Sequence, residues 1–281
     1  MTIAIVTDST SDLPHELARV SGIHVVPLNV HFGDMTFLDG VSITADEFFV
    51  RLKAGPDFPK TSQPSAGAFV AAYQRIAAQG VTQILSLHLS SKVSGTYNSA
   101  MQAKAELAGK GPQIEVVDTL QASMALGLVV MQVADALKQG ANFDQATELA
   151  KSASSRAKFF GLLDTLEYLH KGGRVGKAKL LLGSLLNVKP ILGLVDGVAH
   201  PVGRARSHAK GVVQITEAAR VESPLAALAV MYGSDRAGAE TIAASLKDVA
   251  PGGAPVIAQF GPVLGTYLGP EALGVCLIKA G

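Results

Sequence analysis

From the amino terminus to about residue 155, short apolar runs alternate with longer stretches whose apolar residues recur at helical spacing. Thr2–Val6 is a continuous apolar run that ends in the small polar sequence Thr7-Asp-Ser-Thr-Ser-Asp12, the pattern of a buried parallel strand entering a loop. Asp12 or Ser11 can cap a helix that begins near Pro14. Ile23–Val30 predicts a second strand, and Phe32–Asp39 a hairpin or excursion with Gly33-Asp34 and Asp39-Gly40 as turn formers. Thr44 followed three residues later by Glu47 is a capping box for a helix over Thr44–Leu52. Further strands are predicted at Val81–Leu89 and Ile114–Val117, and further helices at Gly67–Gln79, Tyr97–Leu107, Met124–Lys138 and Asp144–Ser154.

Strands that end in Asp, Ser or Thr and feed helices of this length predict a doubly wound parallel α/β sheet. After Ser155 the texture changes. Strands are expected at Phe159–Leu163, Pro190–Val195, Leu225–Tyr232, Val256–Phe260 and Leu273–Ile278, with helices at Val212–Arg220 and Gly238–Val249. A glycine-rich basic link, Lys171-Gly-Gly-Arg-Val-Gly-Lys177, precedes a predicted leucine-rich helix. Two α/β domains are therefore expected: residues 1–155, and a smaller unit over 156–281.

Composition narrows the classes. Of the 281 residues 48% are hydrophobic and 17% charged, enough apolar surface for sizeable cores and far from a disordered chain. Lys plus Arg number 24 and Asp plus Glu 23, so net charge gives no general bias toward nucleic acid or membrane. The single cysteine, Cys276, lies in an apolar run and is expected to be a buried, inert thiol. The first residues have no basic leader before an acid at position 8, and no apolar run is long enough for a membrane span, so a cytoplasmic location is expected.

Familiar enzyme signatures are missing from the sequence. Gly172-Gly-Arg-Val-Gly-Lys-Ala178 is one residue short of a phosphate loop and lacks its terminal hydroxyl. There is no Gly-x-Gly-x-x-Gly behind the first strand, no Gly-x-Ser-x-Gly elbow and no metal-binding His-Glu-x-x-His, so no cofactor and no metal are expected. What recurs is hydroxyl groups in loops after strands: Asp8-Ser-Thr-Ser-Asp-Leu-Pro14, Thr61-Ser-Gln-Pro-Ser65 and Ser90-Ser-Lys-Val-Ser-Gly-Thr-Tyr-Asn-Ser99. Each alone caps a helix. Together on the carboxyl edge of one sheet, beside free helix-terminal N–H groups, they predict a small-anion or carboxylate site.

These segments also carry a resemblance. The opening Ile5-Val-Thr-Asp-Ser-Thr-Ser-Asp-Leu-Pro14, Thr61-Ser-Gln-Pro-Ser65, Leu89-Ser-Ser-Lys-Val-Ser-Gly-Thr-Tyr-Asn-Ser99, Leu166-Glu-Tyr-Leu-His-Lys-Gly-Gly-Arg-Val175, Lys189-Pro-Ile191 and Gly261-Pro-Val-Leu-Gly-Thr266 resemble the motifs of the DegV family from end to end. The resemblance implies a two-domain α/β fold with a long-chain fatty acid between the domains, and a carrier rather than a catalyst. The alternative is an acyl-handling hydrolase or transferase that uses a serine of the same cleft. Carried over by motif, Thr61, Ser62 and Ser94 hold the carboxylate, with the Gly95 N–H as a further donor and Arg174 near the head-group opening. Neutral hydroxyls hold a carboxylate less tightly than a bidentate arginine would.

The family also resembles the binding subunits of bacterial fatty-acid kinases, which present the acyl carboxylate to a separate ATP-using subunit. Kinase-associated members carry histidine where this chain has Tyr267, which is expected beside the head group. Two basic clusters, Lys171, Arg174, Lys177 and Lys179, then Arg204, Arg206, His208 and Lys210, read either as solvated faces or as a basic rim for an acidic kinase subunit. No aromatic platforms interleave with them, which disfavours nucleic acid. No feature of the sequence specifies an oligomeric state.

Overall fold

The computed structural model describes residues 2–55, 57–181 and 188–281. β1 (Ile3–Asp8) passes through a short 3-10 turn (Ser9–Ser11) to α1 (His15–Val20) and β2 (Ile23–Val26). The hairpin β3 (Asn29–Phe32) and β4 (Met35–Leu38) follows, then α2 (Ala45–Ala54), β5 (Lys60–Ser62) and α3 (Ala66–Ala77). Next come β6 (Gln83–His88), α4 (Thr96–Glu106), β7 (Gln113–Asp118), α5 (Met124–Lys138) and α6 (Phe143–Arg156). The remainder contains β8 (Ala157–Leu162), α7 (Glu167–Lys171), β9 (Lys189–Val195), β10 (Val198–Ala205) and α8 (His208–Val221). It ends with β11 (Leu225–Tyr232), α9 (Arg236–Ser245), β12 (Val256–Gln259), α10 (Pro262–Leu268) and β13 (Leu273–Lys279).

The amino-terminal sheet is parallel throughout, in the order β2-β1-β6-β7. Its residues alternate as a pleated sheet requires. Ala4, Val6, Ile84 and Val116 pack against α3 and α4, whereas Ile5, Leu85, Leu87 and Val117 belong to the core shared with α5 and α6. Helices thus cover both faces, the doubly wound arrangement expected. The carboxyl-terminal α/β unit is built on a mixed sheet, β10-β9-β8-β13-β11-β12, with α8 and α9 over one face. A small antiparallel sheet, β4-β3-β5, stands beside the first.

Local chemistry explains the boundaries. Thr44 and Glu47 form the capping box that starts α2, and Asn142 and Gln145 form another that starts α6. The expected strand Ile23–Val30 is two strands in different sheets. Pro27 has no N–H to continue the ladder, and the next donor, Leu28 N, bonds to the Ser9 hydroxyl at 3.0 Å. The leucine-rich helix expected after Lys177 begins as a 3-10 turn over Gly176–Leu181 and otherwise lies outside the described residues.

The first two turns of α5 carry apolar or small residues on every side, and Met124 through Val130 are all buried. A helix of that kind must be enclosed. It packs on β8, β11 and β13 on one side and on β1 and β6 on the other, so both sheets contribute to one core.

Two buried acids fasten α10 to the amino-terminal loops. Asp12 accepts from Gly261 N at 3.0 Å and from the Ser123 hydroxyl at 2.7 Å. Asp39 is approached by the Ser9 hydroxyl and the Val263 N–H. A free donor at the start of α10 is thus met by Asp12 from across the molecule. Burial pushes Asp39 up to about 7, helped by the Asp8 charge and opposed by those two donors. Burial likewise holds Asp12 well above the carboxylate range. An acid raised in the folded state stabilises it below the ordinary carboxylate range and loses that contribution as pH rises through about 7. Asp39→Asn should therefore improve urea stability relative to the parent at pH 8, by about 2 kcal/mol more than at pH 4. Equal effects at the two pH values would show that Asp39 does not carry this linkage.

Candidate functional site

A cavity of about 210 Å³ opens between the carboxyl edge of the parallel sheet and the β8–β9–β10 side of the mixed sheet. Its walls are apolar: Leu28, Leu89, Val93, Phe159, Leu192, Leu194, Val263 and Leu268 are among its lining. Polar groups contribute from a few places, namely Thr61 and Ser62 on β5 with Gln63 just after it, Ser94 before α4, Ser123 before α5, Arg174 after α7 and Tyr267 on α10. An apolar chamber with a few convergent polar groups suits an amphiphile with one polar head.

The polar groups are held by contacts between distant segments. The Thr61 and Tyr267 hydroxyls meet at 2.5 Å and so join β5 to α10. The Tyr267 ring lies against Gly172, where an added Cβ would sit 2.5 Å from two ring carbons. The Arg174 guanidinium stands 5.5 Å from the centre of the same ring, a cation–π distance, while donating to Gly172 O at 2.9 Å and Val93 O at 3.4 Å. Ser94 bonds to the Thr96 hydroxyl at 2.9 Å and accepts from Thr96 N at 3.3 Å. That contact helps start α4, whose N-cap, Gly95, has no side chain to do so.

Five of the six residues expected at the head group, Thr61, Ser62, Ser94, Arg174 and Tyr267, line this cavity. Gly95 stands directly behind, covered by the Gln63 amide. Ser62 lines the mouth, but its hydroxyl accepts from Asn29 Nδ2 at 3.1 Å and pairs with His31 Nε2 at 3.0 Å. The first hydroxyl-rich loop does not join the cavity, because Asp8, Thr10, Ser11 and Asp12 are buried elsewhere in the core. Asp8 accepts from Thr10 N and Leu89 N and faces His88 Nδ1 at 2.9 Å. In the serine loop, Ser90 donates to Gly197 O at 2.7 Å. Gln63 and Ser123 were not foreseen in the site. Position two after Thr61 along an extended segment was the available signal for Gln63.

Two Ser–His pairs bear on serine chemistry. Tyr73, Ser86, His88 and Asp8 form a buried hydrogen-bonded row, with Ser86 Oγ 2.7 Å from His88 Nε2. Ser86, His88 and Asp8 are fully buried and none of them lines the cavity, so no substrate reaches that serine. The exposed Ser62–His31 pair is backed by the Thr36 hydroxyl at 2.9 Å, a neutral group that cannot balance an imidazolium as a carboxylate does. Cys276 is buried, and burial pushes its thiol far up, so it is no nucleophile. Among the described residues no cluster of His, Cys, Asp or Glu could hold a metal, and no helix is long and apolar enough to cross a membrane.

Fold and cavity together define a two-domain α/β protein with an amphiphile-shaped chamber at the junction of its sheets. The chain belongs to the DegV family: the family model described as "Uncharacterised protein, DegV family" matches residues 2–280. A DegV domain-containing protein of Halalkalibacterium halodurans is 34% identical over 278 residues, 97% of each chain. One from Streptomyces coelicolor is 35% identical over 276 residues, again 97% of each. Among solved structures, a fatty-acid-binding DegV family protein from Thermus thermophilus superposes with a TM-score of 0.88 at 35% identity, covering 100% of both chains. DegV from Bacillus subtilis, a fatty acid binding protein, gives 0.89 at 30% identity and the same coverage.

The close approach of Gly172 to Tyr267 gives a structural check. Gly172→Ala should cost about 1–3 kcal/mol in urea unfolding through overpacking. In a double-mutant cycle most of that cost should vanish beside Tyr267→Ala. Additive losses would place the strain elsewhere.

Proposed function

We propose that this protein binds a long-chain fatty acid, with the acyl tail in the apolar chamber and the carboxylate at the polar end. The observation that carries the reading is the cavity itself: leucine, valine and phenylalanine walls with hydroxyls of Thr61, Ser94 and Tyr267 gathered beside the α4 N-terminus. Each buried methylene contributes about 0.8 kcal/mol, so the tail supplies affinity and the head needs only to be positioned. Hydroxyls and the Gly95 N–H can do this without a salt bridge, and Arg174 adds positive charge at the opening. The fatty-acid ligands named for the Thermus and Bacillus proteins support the same choice. Neither Ser–His pair combines access with a charged orienting group, which favours binding over acyl hydrolysis by a serine.

The finer reading is that the bound acid is presented to a separate ATP-dependent kinase subunit in the cytoplasm. Arg174, Lys177 and Lys179 are exposed, as are Arg204 and Arg206 on and after β10. Such charges would attract an acidic partner and offset charge on a transferred phosphate. In this reading residues 1–155 supply Thr61 and Ser94 to the head group, and residues 156–281 add Tyr267 and Arg174 there while covering the tail with Phe159, Leu192 and Leu194.

Mass spectrometry of lipid extracted from the purified protein should find long acyl chains, of about 14–18 carbons, whose methylenes contribute about 0.8 kcal/mol each on burial. Recovery of a nucleotide and no acyl chain would contradict the reading. Ser94→Ala should weaken fatty-acid binding about tenfold to a hundredfold, through loss of a hydrogen bond to a charged acceptor. Reversing the charges of Arg204 and Arg206 should slow acyl-phosphate formation with a kinase subunit and leave fatty-acid affinity unchanged. Loss of affinity in that variant would instead put these residues at the ligand.

A further inference from the structure

In the antiparallel pairing of β3 with β5, Asn29 stands opposite Ser62 and Val30 opposite Thr61. Directly paired residues share a face of the sheet, and neighbours along a strand take opposite faces. Ser62 therefore shares a face with Asn29 and His31, the two side chains that engage its hydroxyl. Thr61 lies on the other face, with the fully buried Val30, and there it meets Tyr267. Both residues border the cavity, yet only one of the two hydroxyls is directed at the cluster of polar groups around Tyr267.

The residue that returns to the Thr61 side is Gln63. It directly follows β5 and precedes Pro64, and a residue before proline is held in the extended region, so the two-residue alternation carries on through it. Gln63 lines the cavity, and its amide lies over Gly95: a Cβ there would stand 2.4 Å from Nε2 and 2.7 Å from Oε1. Gln63 is exposed, and among the described residues its amide has no protein hydrogen-bond partner and is free to turn to a ligand, unlike the hydroxyls of Thr61, Ser62 and Ser94.

We propose that Gln63, and not Ser62, joins Thr61 and Ser94 on the ligand's head group, its amide nitrogen donating to the carboxylate beside their hydroxyls. Gly95 is then a glycine so that this amide can lie flat across the start of α4. Ser62 serves the small sheet, tying β5 to β3 through Asn29 and His31. A neutral amide donor suits a carboxylate that must be held and later released, because it adds a directed hydrogen bond without a full opposite charge. The inference rests on the fatty-acid reading above and specifies which side chains perform it.

The test is titration of sodium oleate and of oleyl alcohol into delipidated parent, Ser62→Ala, Gln63→Leu, Gln63→Glu and Gly95→Ala proteins. Gln63→Leu should bind oleate about tenfold to a hundredfold more weakly, the loss expected for one hydrogen bond to a charged acceptor. Gln63→Glu should lose more, through like charge, and should bind oleyl alcohol as the parent does. A merely structural role would weaken both ligands together. Gly95→Ala should reproduce the Gln63→Leu loss by displacing the amide, and Ser62→Ala should stay near parent affinity. If Gln63→Leu does not fold, Gln63→Asn, which keeps the amide but shortens its reach, takes its place with the same expected loss. Parent-like oleate binding by both Gln63→Glu and the Leu or Asn form, or a Ser62→Ala loss as large as theirs, overturns the inference. A parent that binds no oleate overturns the fatty-acid reading itself and this inference with it.

Discussion

The burial of α5 on both sides is the constraint on which the rest of the architecture depends. The first two turns of α5, Met124–Val130, have no polar stripe and cannot face water, and β1 and β6 cover the helix on one side while β8, β11 and β13 cover the other. Two sheets that might have stood as separate domains are thereby fixed about a common core. The parallel sheet has its carboxyl edge turned toward the mixed sheet, and the loops from that edge meet side chains of β8, β9 and β10 across a gap. The gap is the chamber. Its apolar walls are core residues of the two units that have no protein partner across the opening.

Polar residues are divided between holding this arrangement and furnishing the site. Asp8 and His88 lie in a buried hydrogen-bonded row, and Asp12 and Asp39 hold the start of α10. None of these acids lines the chamber, but α10 brings Val263, Tyr267 and Leu268 into it. The position of Tyr267 over Thr61 thus depends on carboxylates on the far side of the helix. Arg174 closes the same corner, with its guanidinium over the Tyr267 ring and its donors on backbone carbonyls of two different loops.

Much of this was legible in the sequence because the local signals agree with the global fold. The β-strands of the parallel sheet, the Thr44 capping box and the apolar character of α5 all follow from residue pattern. Three features did not. β5 is only Lys60–Ser62, too short to show a period, so its motif looks like a loop, and the opposite facing of Thr61 and Ser62 emerges only from the pairing with β3. β10 contains Pro201 and Gly203, which contradict a strand by composition; it is tolerated because it is an edge strand with a register shift at that point. α10 begins with Pro262 and includes Gly265, and it survives as a helix because Asp12 caps it from elsewhere in the chain and Phe48 and Phe49 press against Gly265. The role of the opening Asp8–Asp12 loop was likewise hidden, since a loop rich in hydroxyls looks the same whether it faces a ligand or the core.

The central claim is that the chamber at the junction of the sheets is an acyl-chain site with its head at Thr61 and Ser94. The most direct measurement is a crystal structure of the protein saturated with oleate. The account predicts continuous acyl density along Leu28, Leu89, Phe159, Leu192 and Leu194, with the carboxylate within hydrogen-bond distance of the Thr61 and Ser94 hydroxyls. An empty chamber in a saturated crystal, or an acyl chain lying with its carboxylate away from that end, would contradict it.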